Sequence, residues 1–185
     1  SRLQSCPAMI PVEEALEIVL REAQALPAEE VALDEALLRV LAEDVASDLD
    51  LPPFDRAAMD GYALRSADVA GAPVALEIVG EVRAGQWPDL AVGPGQAVRI
   101  MTGAPVPTGA DAVQPVESTQ PLDEFRVTMR SAVPAGANVA PRGSEAGAGT
   151  LLLSRGRVID PAAIAVLASA GKARVRVARR PVVAL

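Results

Sequence analysis

The stretch PPFDRAAMDGYAL, residues 52–64, contains more chemically specific residues per position than any other part of the chain. Its two leading prolines fix φ and lack backbone donors, so they predict an extended segment that no helix can cross. Two carboxylates follow, Asp55 and Asp60, and Gly61 comes directly after the second. Taken alone, an Asp-Gly step between apolar runs is typical of a β-hairpin turn with a positive φ at the glycine.

Composition excludes several functional classes. The 185 residues include no histidine and one cysteine, Cys6, so neither a Cys/His zinc site nor a histidine-dependent catalytic triad is available, and no internal disulfide can form. A net charge of -7 argues against non-specific nucleic-acid binding. No apolar run approaches the roughly 20 residues of a membrane span, and no basic segment followed by an apolar one, the pattern of a secretion signal, appears in these residues. We expect a cytoplasmic protein with no membrane and no nucleic-acid partner.

The charge is unevenly distributed along the chain. Residues 1–70 hold 15 acidic and 5 basic side chains, whereas residues 141–185 hold 2 acidic and 8 basic ones. A basic end often binds polyanions, but here the bases lie on patterned segments. We therefore predict that the two ends pack against each other.

Helix signals lie in the first fifty residues. A helix is predicted from Pro11, with glutamates in its first turn, to a break at Pro27. A second helix is predicted from Asp34, which is a good N-cap. Its hydrophobic staple and buried face would be formed by Leu33, Leu37, Leu38 and Leu41.

Helix signals return near the other end. Asp160 as N-cap, Pro161 at the first helical position and Gly171 beyond the end bracket a segment so apolar that we expect it to be buried on most sides. Residues 174–177 alternate as in a half-exposed strand. Residues 181–185 are apolar and resemble the first buried strand of a parallel α/β unit.

Between these ends the chain has β character. Short Val- and Ile-rich runs at 74–79, 97–101, 112–116 and 125–129 are separated by clusters of Gly, Pro and Asp. Short strands separated by turn residues in this way are typical of a small barrel or sandwich. The chain has neither G-x-G-x-x-G nor G-x-x-x-x-G-K-[ST], so no nucleotide-phosphate loop is predicted.

Three more motifs follow the first in order: GEVRAG at 80–85, GPGQAVRIMTGAP at 93–105 and GADAVQPVE at 109–117. Together the four motifs resemble the N-terminal part of the MoeA/gephyrin E-domain family, the molybdopterin molybdenumtransferases. The resemblance implies a transferase of molybdenum cofactor biosynthesis. Such an enzyme inserts molybdenum from molybdate into adenylylated molybdopterin, with Mg²⁺ assisting.

The resemblance also implies an α+β fold. Residues 1–46 and 141–180 would form a discontinuous, elongated, helix-containing domain that makes a homodimer, and residues 47–140 an inserted small β-barrel-like domain. Residues 181–185 would begin an α/β domain that is missing here. Because family sites lie between the β-domain of one protomer and the α/β domain of the other, we expect this piece alone to bind molybdopterin weakly and to be inactive.

The resemblance assigns the first site residues. Asp60 matches the functional aspartate of the family's AMDGYA motif and takes the catalytic carboxylate role, with possible magnesium binding. Thr102 in MTGAP is predicted to be a catalytic residue whose hydroxyl donates to an oxyanion or a phosphate, and Gly61 and Gly103 are predicted to contact substrate. Without the family, a Ser/Thr turn at a strand end is the alternative interpretation of Thr102.

A further segment departs from the family pattern. Where relatives place an arginine soon after an Asn-Ile pair, this chain has Ala140, with Arg142 two residues later. We assign Arg142 and Ser144 to substrate binding, the alternative for Arg142 being a solvated loop arginine. Glu145 replaces the usual aspartate and is a candidate metal ligand.

Three functions remain open: the transferase, a non-catalytic dimerisation scaffold of the same family, and an unrelated β-domain that binds an anion. The matched motifs belong to the transferase site, which favours the first. A molybdopterin adenylyltransferase is a candidate partner.

Overall fold

In the computed structural model, which describes residues 9–183, the regular secondary structure comprises two α-helices and twelve strands. The helices are α1, Val12–Glu22, and α2, Pro161–Ser169. The strands, in chain order, are β1 Ala28–Ala32, β2 Val45–Ala46, β3 Arg56–Ala57, β4 Gly61–Leu64, β5 Val74–Val82, β6 Gln96–Ile100, β7 Ala112–Pro115, β8 Thr119–Pro121, β9 Arg126–Met129, β10 Val139–Ala140, β11 Leu151–Leu153 and β12 Arg174–Ala178. No helix among residues 9–183 is long and apolar enough to cross a membrane. Cys6 lies outside the described residues.

The first predicted helix is confirmed, but it is shorter than expected. It begins after Pro11 and ends at Glu22, well before Pro27. Pro27 disfavours helical backbone in the residue before it, and β1 starts directly after it at Ala28, so the preceding segment is extended. No residue of α1 is buried against the rest of the described chain.

The second predicted helix is wrong. Residues Leu33–Glu35 form only a 3₁₀ turn, without a side-chain cap, and Leu38 adopts a φ of 62°. Leu37 and Leu38 are exposed, whereas Leu41 is buried as expected. The reason is long-range pairing: the N–H groups of Leu38 and Leu41 donate to the carbonyls of residues 159 and 157, each at 2.8 Å, instead of to a helical turn.

The third predicted helix is confirmed as α2. The Asp160 side chain accepts a 2.7 Å hydrogen bond from the backbone of Ala163, and Gly171 follows the helix with a φ of 70°. The expected burial on most sides is wrong for the described chain, since within α2 only Ala163 and Leu167 are buried. The predicted half-exposed strand is confirmed as β12, in which buried and exposed residues alternate.

The two ends of the chain form one compact unit, comprising residues up to 45 and from 153 onward. Strands β1 and β12 pair antiparallel, with Ala28 opposite Ala178. Charges complement each other across this pair, because Glu30 accepts a 2.6 Å hydrogen bond from Arg174. The mostly buried Arg39 pairs with Glu29 and also donates to the carbonyl of Ala178 at 2.8 Å. The elongated shape and dimer-forming role of this unit stay predictions.

The middle of the chain, residues 46–152, forms the second unit around a six-stranded sheet with strand order β7-β4-β6-β5-β9-β8. Only β5 and β6 run parallel among these neighbours. In the described chain β7 and β8 are free edges, so the expected small barrel is a curled, half-barrel sheet. Separate apolar clusters are built on it, one containing Ala63, Val98, Ile100 and Val113, and the other Leu64, Leu76, Val127 and Met129.

The second boundary of this unit lies later than the predicted position near residue 140. Residues 141–152 stay with the middle unit because they pair with the segment before β3. The N–H groups of Gly143 and Glu145 donate to the carbonyls of Pro52 and Leu51 at 2.9 and 2.8 Å. At the other end, residues 181–183 form no strand in the described part of the chain, so the start of a further α/β domain stays a prediction.

Candidate functional site

One end of the six-stranded sheet gathers four loops. Strand β4 runs antiparallel to β6 and β7, so its first residue, Gly61, lies opposite Ile100 and Pro115 near the ends of those strands. Strand β5 runs parallel to β6 and ends beside it at Val82. We call this end of the sheet the site edge: it comprises Asp60 and the residues that directly follow β5, β6 and β7.

Asp60 and Thr102 meet at the site edge. One carboxylate oxygen of Asp60, Oδ1, accepts hydrogen bonds from the backbone N–H of Thr102 at 2.7 Å and from its hydroxyl at 2.6 Å. Both side chains are accessible to solvent, and Oδ2 of Asp60 accepts no hydrogen bond from the described residues. The hydroxyl and the backbone amide of Thr102 hold the pKa of Asp60 below its ordinary value of 3.8. Asp60 is therefore a fixed carboxylate, ionised at neutral pH, with one oxygen open to a ligand.

The β-hairpin predicted at Asp60 and Gly61 is wrong. The strand before them, β3, pairs with β10, and the strand after them, β4, pairs with β6 and β7. Gly61 does not have a positive φ. A Cβ there would lie 2.0 Å from the backbone oxygen of Gln114, so glycine is required by the close approach of β7. Gly61 is buried, and because it directly follows Asp60 in the chain it fixes the backbone position of Asp60.

At Gly103 the backbone conformation requires glycine, not the close approach of another strand. Its φ is 83°, and no described atom lies within 4 Å of the position that a Cβ would occupy. Its N–H donates to the carbonyl of Ala57 at 2.8 Å, which fixes the turn that carries Thr102 to β3. Gly103 therefore shapes the turn, and the close approach by a ligand that the sequence predicts at this position stays a prediction.

Arg99 is a charged residue of the site that the sequence analysis missed. It lines, with Asp60, Gly61 and Tyr62, a pocket of about 230 Å³ at the site edge. Its guanidinium carbon lies 5.9 Å from the centre of the Tyr62 ring, within range of a cation–π contact. An arginine alternating with buried residues shortly before Thr102 is the available sequence signal, but the same pattern is typical of any exposed strand face.

Arg142 lies in a second cluster of the same unit. Its Nε donates to Asp50 at 2.7 Å, and its backbone N–H donates to Asp55 at 2.8 Å. The backbone of Ala148 and the Arg142 side chain together hold the pKa of Asp50 below its ordinary value. The Arg142 side chain is 65% exposed, so it remains accessible to a ligand while it ties its loop to the segment before β3.

The predicted metal ligand Glu145 is ion-paired with Arg56. The Arg56 contact is to Oε1 of Glu145, so a metal ion there would compete with a guanidinium for the same carboxylate. Among residues 9–183, no group of three acidic, cysteine or histidine side chains is placed to hold a metal ion. Ser144 is exposed, and its N–H closes a turn on the carbonyl of Pro141 at 3.1 Å.

The two clusters are joined through β3. On one side Ala57 exchanges backbone hydrogen bonds with the turn after β6, donating to Ala104 at 2.9 Å. On the other side β3 pairs with β10, with Val139 opposite Ala57. The three predicted site segments, at residues 60–61, 102–103 and 142–145, therefore belong to one hydrogen-bonded network in the second unit.

Comparison with known proteins decides the family. The family model described as MoeA N-terminal region (domain I and II) matches residues 10–171. The chain belongs to this family. The chain is 41% identical over 180 residues to a molybdopterin molybdenumtransferase of Staphylococcus aureus (strain Mu50), and 40% identical over 183 residues to that of Bacillus subtilis (strain 168).

Solved structures agree with this assignment. A crystal structure of the molybdopterin biosynthesis moeA protein from Pyrococcus horikoshii OT3 matches with a TM-score of 0.87 and 35% identity, covering 94% of this chain and 47% of that one. Each of the two curated relatives is covered over 43% of its length by 95% of this chain. The chain thus spans less than half the length of these proteins.

Proposed function

We propose that this chain is the N-terminal portion of a molybdopterin molybdenumtransferase. The complete enzyme would insert molybdenum from molybdate into adenylylated molybdopterin during molybdenum cofactor biosynthesis. The observation that carries the proposal is the Asp60 carboxylate, which Thr102 holds by two hydrogen bonds while its second oxygen stays open. The names of the relatives support the reaction class.

Asp60 and Thr102 are the proposed catalytic pair. The ionised carboxylate accepts a hydrogen bond from a protonated substrate atom or a water and so orients it for the exchange at molybdenum. Thr102 prevents the carboxylate from rotating, because both of its donors bind the same oxygen. Gly61 and Gly103 contribute by allowing the strand approach and the turn on which this geometry depends.

Arg99 is the proposed anion-binding residue. Molybdate is a dianion, and a carboxylate alone would repel it. Arg99 lines the same pocket as Asp60 and supplies a guanidinium, which binds tetrahedral oxyanions well. Arg142 and Ser144 are proposed to bind substrate from the neighbouring loop, where Asp50 keeps the guanidinium in place.

The resemblance implies a magnesium ion, but residues 9–183 contain no complete set of ligands for it. Mg²⁺ prefers several oxygen ligands, and the described site offers it the open oxygen of Asp60. Glu145 is engaged by Arg56. The magnesium ion stays a prediction, and the roles of Asp60, Thr102 and Arg99 do not depend on it.

We also propose that the unit formed by the chain ends makes a homodimer, and the exposed apolar face of α1 supports this. Helix α1 has no buried residue within the described chain, although Leu16, Val19 and Leu20 are each more than half exposed. An apolar helix face of this kind needs a cover in water, and a second copy would provide the same face. An adenylyltransferase partner and a cytoplasmic location stay predictions.

Genetic complementation tests the proposal. The gene that contains this chain is expressed in a bacterium lacking its own molybdopterin molybdenumtransferase, and the activity of a molybdoenzyme such as nitrate reductase is measured. We expect restored activity with the wild type and loss of activity with Asp60→Asn. Stable expression without restoration would instead favour the scaffold function.

A further inference from the structure

A second pocket of the middle unit, of about 370 Å³, has no role in the proposal above. It is lined by Glu81, Val82, Gln86, Trp87, Pro88 and Asp89. Trp87 is the only tryptophan of the chain and is 73% exposed. The Phe54 ring meets it at 87°, with 5.4 Å between the ring centres. An aromatic ring that is fixed by a neighbour yet open to solvent is suited to stacking on a flat ligand.

The pocket belongs to the site edge. It begins where β5 ends, and the carbonyl of Val82 accepts a 3.2 Å hydrogen bond from the N–H of Met101. Met101 is bonded directly to Thr102 in the chain. A ligand in this pocket therefore lies beside the turn that holds Asp60.

The polar lining is acidic. Glu81 and Asp89 provide carboxylates, and Gln86 provides an amide. Glu81 accepts a 2.7 Å hydrogen bond from Arg83 on Oε1, and this contact holds the pKa of Glu81 below its ordinary value, so the carboxylate is fixed and ionised. Ionised carboxylates accept hydrogen bonds and repel phosphate. The pocket thus favours a flat, uncharged ring with N–H donors on its edge.

We propose that this pocket binds the pterin ring of the substrate, with Trp87 stacking on the bicycle and the carboxylates of Glu81 and Asp89 accepting from its N3–H and 2-amino group. A pterin combines a flat face with two adjacent donors on one edge, which is the pattern that this lining complements. The inference rests on the proposed function, because it takes the substrate to be a molybdopterin. The inference adds the orientation of the bound substrate: its ring lies at the end of β5, and its reacting atoms lie towards Asp60.

Titration of the chain with two matched heterocycles tests the inference. The ligands are 6,7-dimethylpterin and 6,7-dimethyllumazine, which differ in that a carbonyl replaces the 2-amino group. Binding is measured by calorimetry and by the fluorescence of Trp87. We expect the pterin to bind at least tenfold more tightly, because the lumazine presents an acceptor to the carboxylates.

Variants separate stacking from hydrogen bonding. Trp87→Ala should weaken pterin binding at least tenfold, and the double variant Glu81→Gln, Asp89→Asn should abolish the preference for pterin over lumazine. The control is Leu49→Ala, which removes another large exposed apolar side chain of the same unit outside this pocket and should not change the affinity. Trp87→Leu serves as a second variant if Trp87→Ala does not fold by circular dichroism.

Equal affinity for the two heterocycles, or unchanged pterin affinity in the Trp87 variants, would overturn the inference. Its failure is distinguishable from failure of the proposed function, which complementation by the wild-type gene tests separately. Absent pterin binding together with loss of activity in Asp60→Asn would reject this pocket and leave the transferase site in place. Retained activity in a folded Asp60→Asn variant would reject the proposed catalytic pair but not this pocket, whereas failure of the wild-type gene to restore activity would reject the proposed function, on which the inference rests.

Discussion

Replacing Asp60 with asparagine separates catalysis from structure, because the substitution keeps most of the local hydrogen bonding. Asparagine retains an Oδ1 that can accept from both donors of Thr102. It removes the charge and replaces the open oxygen with an amide. Because Asp60 is exposed, we expect the melting temperature to change by no more than about 3 °C. The rate of cofactor formation should fall about a hundredfold, the usual cost of removing one positioned catalytic group.

The assay uses the full-length protein that contains this chain, with molybdate and adenylylated molybdopterin as substrates and Mg²⁺ in the buffer. The melting temperature and the rate are measured on the same preparation. A folded Asp60→Asn variant with unchanged activity would refute the catalytic role and leave Asp60 as a structural partner of Thr102.

Asp111→Asn is a matched control within the same unit. Asp111 is exposed and accepts hydrogen bonds from the backbone N–H of Ser66 at 2.6 Å and from its hydroxyl at 2.8 Å. Its own N–H donates to the carbonyl of Leu64, so it lies at the opposite end of β4 from Asp60. Asp111 differs in using both oxygens for these contacts. We expect a similarly small change in melting temperature and no change in the rate.

Because the pKa of Asp60 is lowered in the folded state, the contribution of Asp60 to stability depends on pH. Its folded-state pKa is lowered, so ionised Asp60 favours the folded state above the ordinary value of 3.8, and this contribution is lost as the pH falls through the folded-state pKa. The difference in melting temperature between wild type and Asp60→Asn should therefore shrink below pH 3.8. Between pH 5 and 8, titration of Asp60 should not limit the activity. An activity loss in this range that disappears in Asp60→Asn would contradict the lowered pKa.

Four further predictions concern stability, assembly and substrate binding. Gly61→Ala should destabilise the chain by at least about 2 kcal/mol in chemical denaturation, because a Cβ would meet the backbone of β7, whereas Gly71→Ala, with no described atom within 4 Å, should be close to neutral. The chain should be a dimer in sedimentation equilibrium at micromolar concentration; Leu16→Glu on α1 should make it monomeric and Glu17→Gln should not, and a monomeric wild type would refute the dimer. Arg99→Gln should raise the KM for molybdate about tenfold with a smaller effect on kcat, and an unchanged KM would exclude Arg99 from anion binding. The isolated 185-residue chain should form no active cofactor above a protein-free control.

Local signals were sufficient where a structure is stabilised by neighbours in sequence. Helix α2 was predicted from its cap, its first-turn proline and the glycine after its end, and the Asp160 side chain does cap the helix at Ala163. The same kind of signal failed at Asp34. There the backbone donors that a helix would use are taken by carbonyls of residues 157 and 159, which are distant in sequence.

The candidate site also depends on both local sequence signals and long-range strand pairing. Sequence motifs and the resemblance they carry singled out Asp60 and Thr102, which are 42 positions apart. Their contact depends on β4 lying next to β6, because only that pairing places the start of one strand beside the end of the other. The pairing of β4 with β7 explains Gly61, because a Cβ there would meet the backbone of β7, although the sequence context indicated a turn.

The sequence by itself determined the family, the chemistry that the residue types allow, and the local helix and strand signals, since these depend on residue identity and short-range spacing. The tertiary structure alone decided which residues share a pocket. Arg99 and Trp87 gave no distinctive signal, because an arginine on a strand and a tryptophan in a loop occur in many contexts. Strand order and register placed Arg99 in one pocket with Asp60, and they placed the end of β5, from which the loop with Trp87 continues, beside the end of β6. Those long-range pairings are not encoded in any short stretch of the chain.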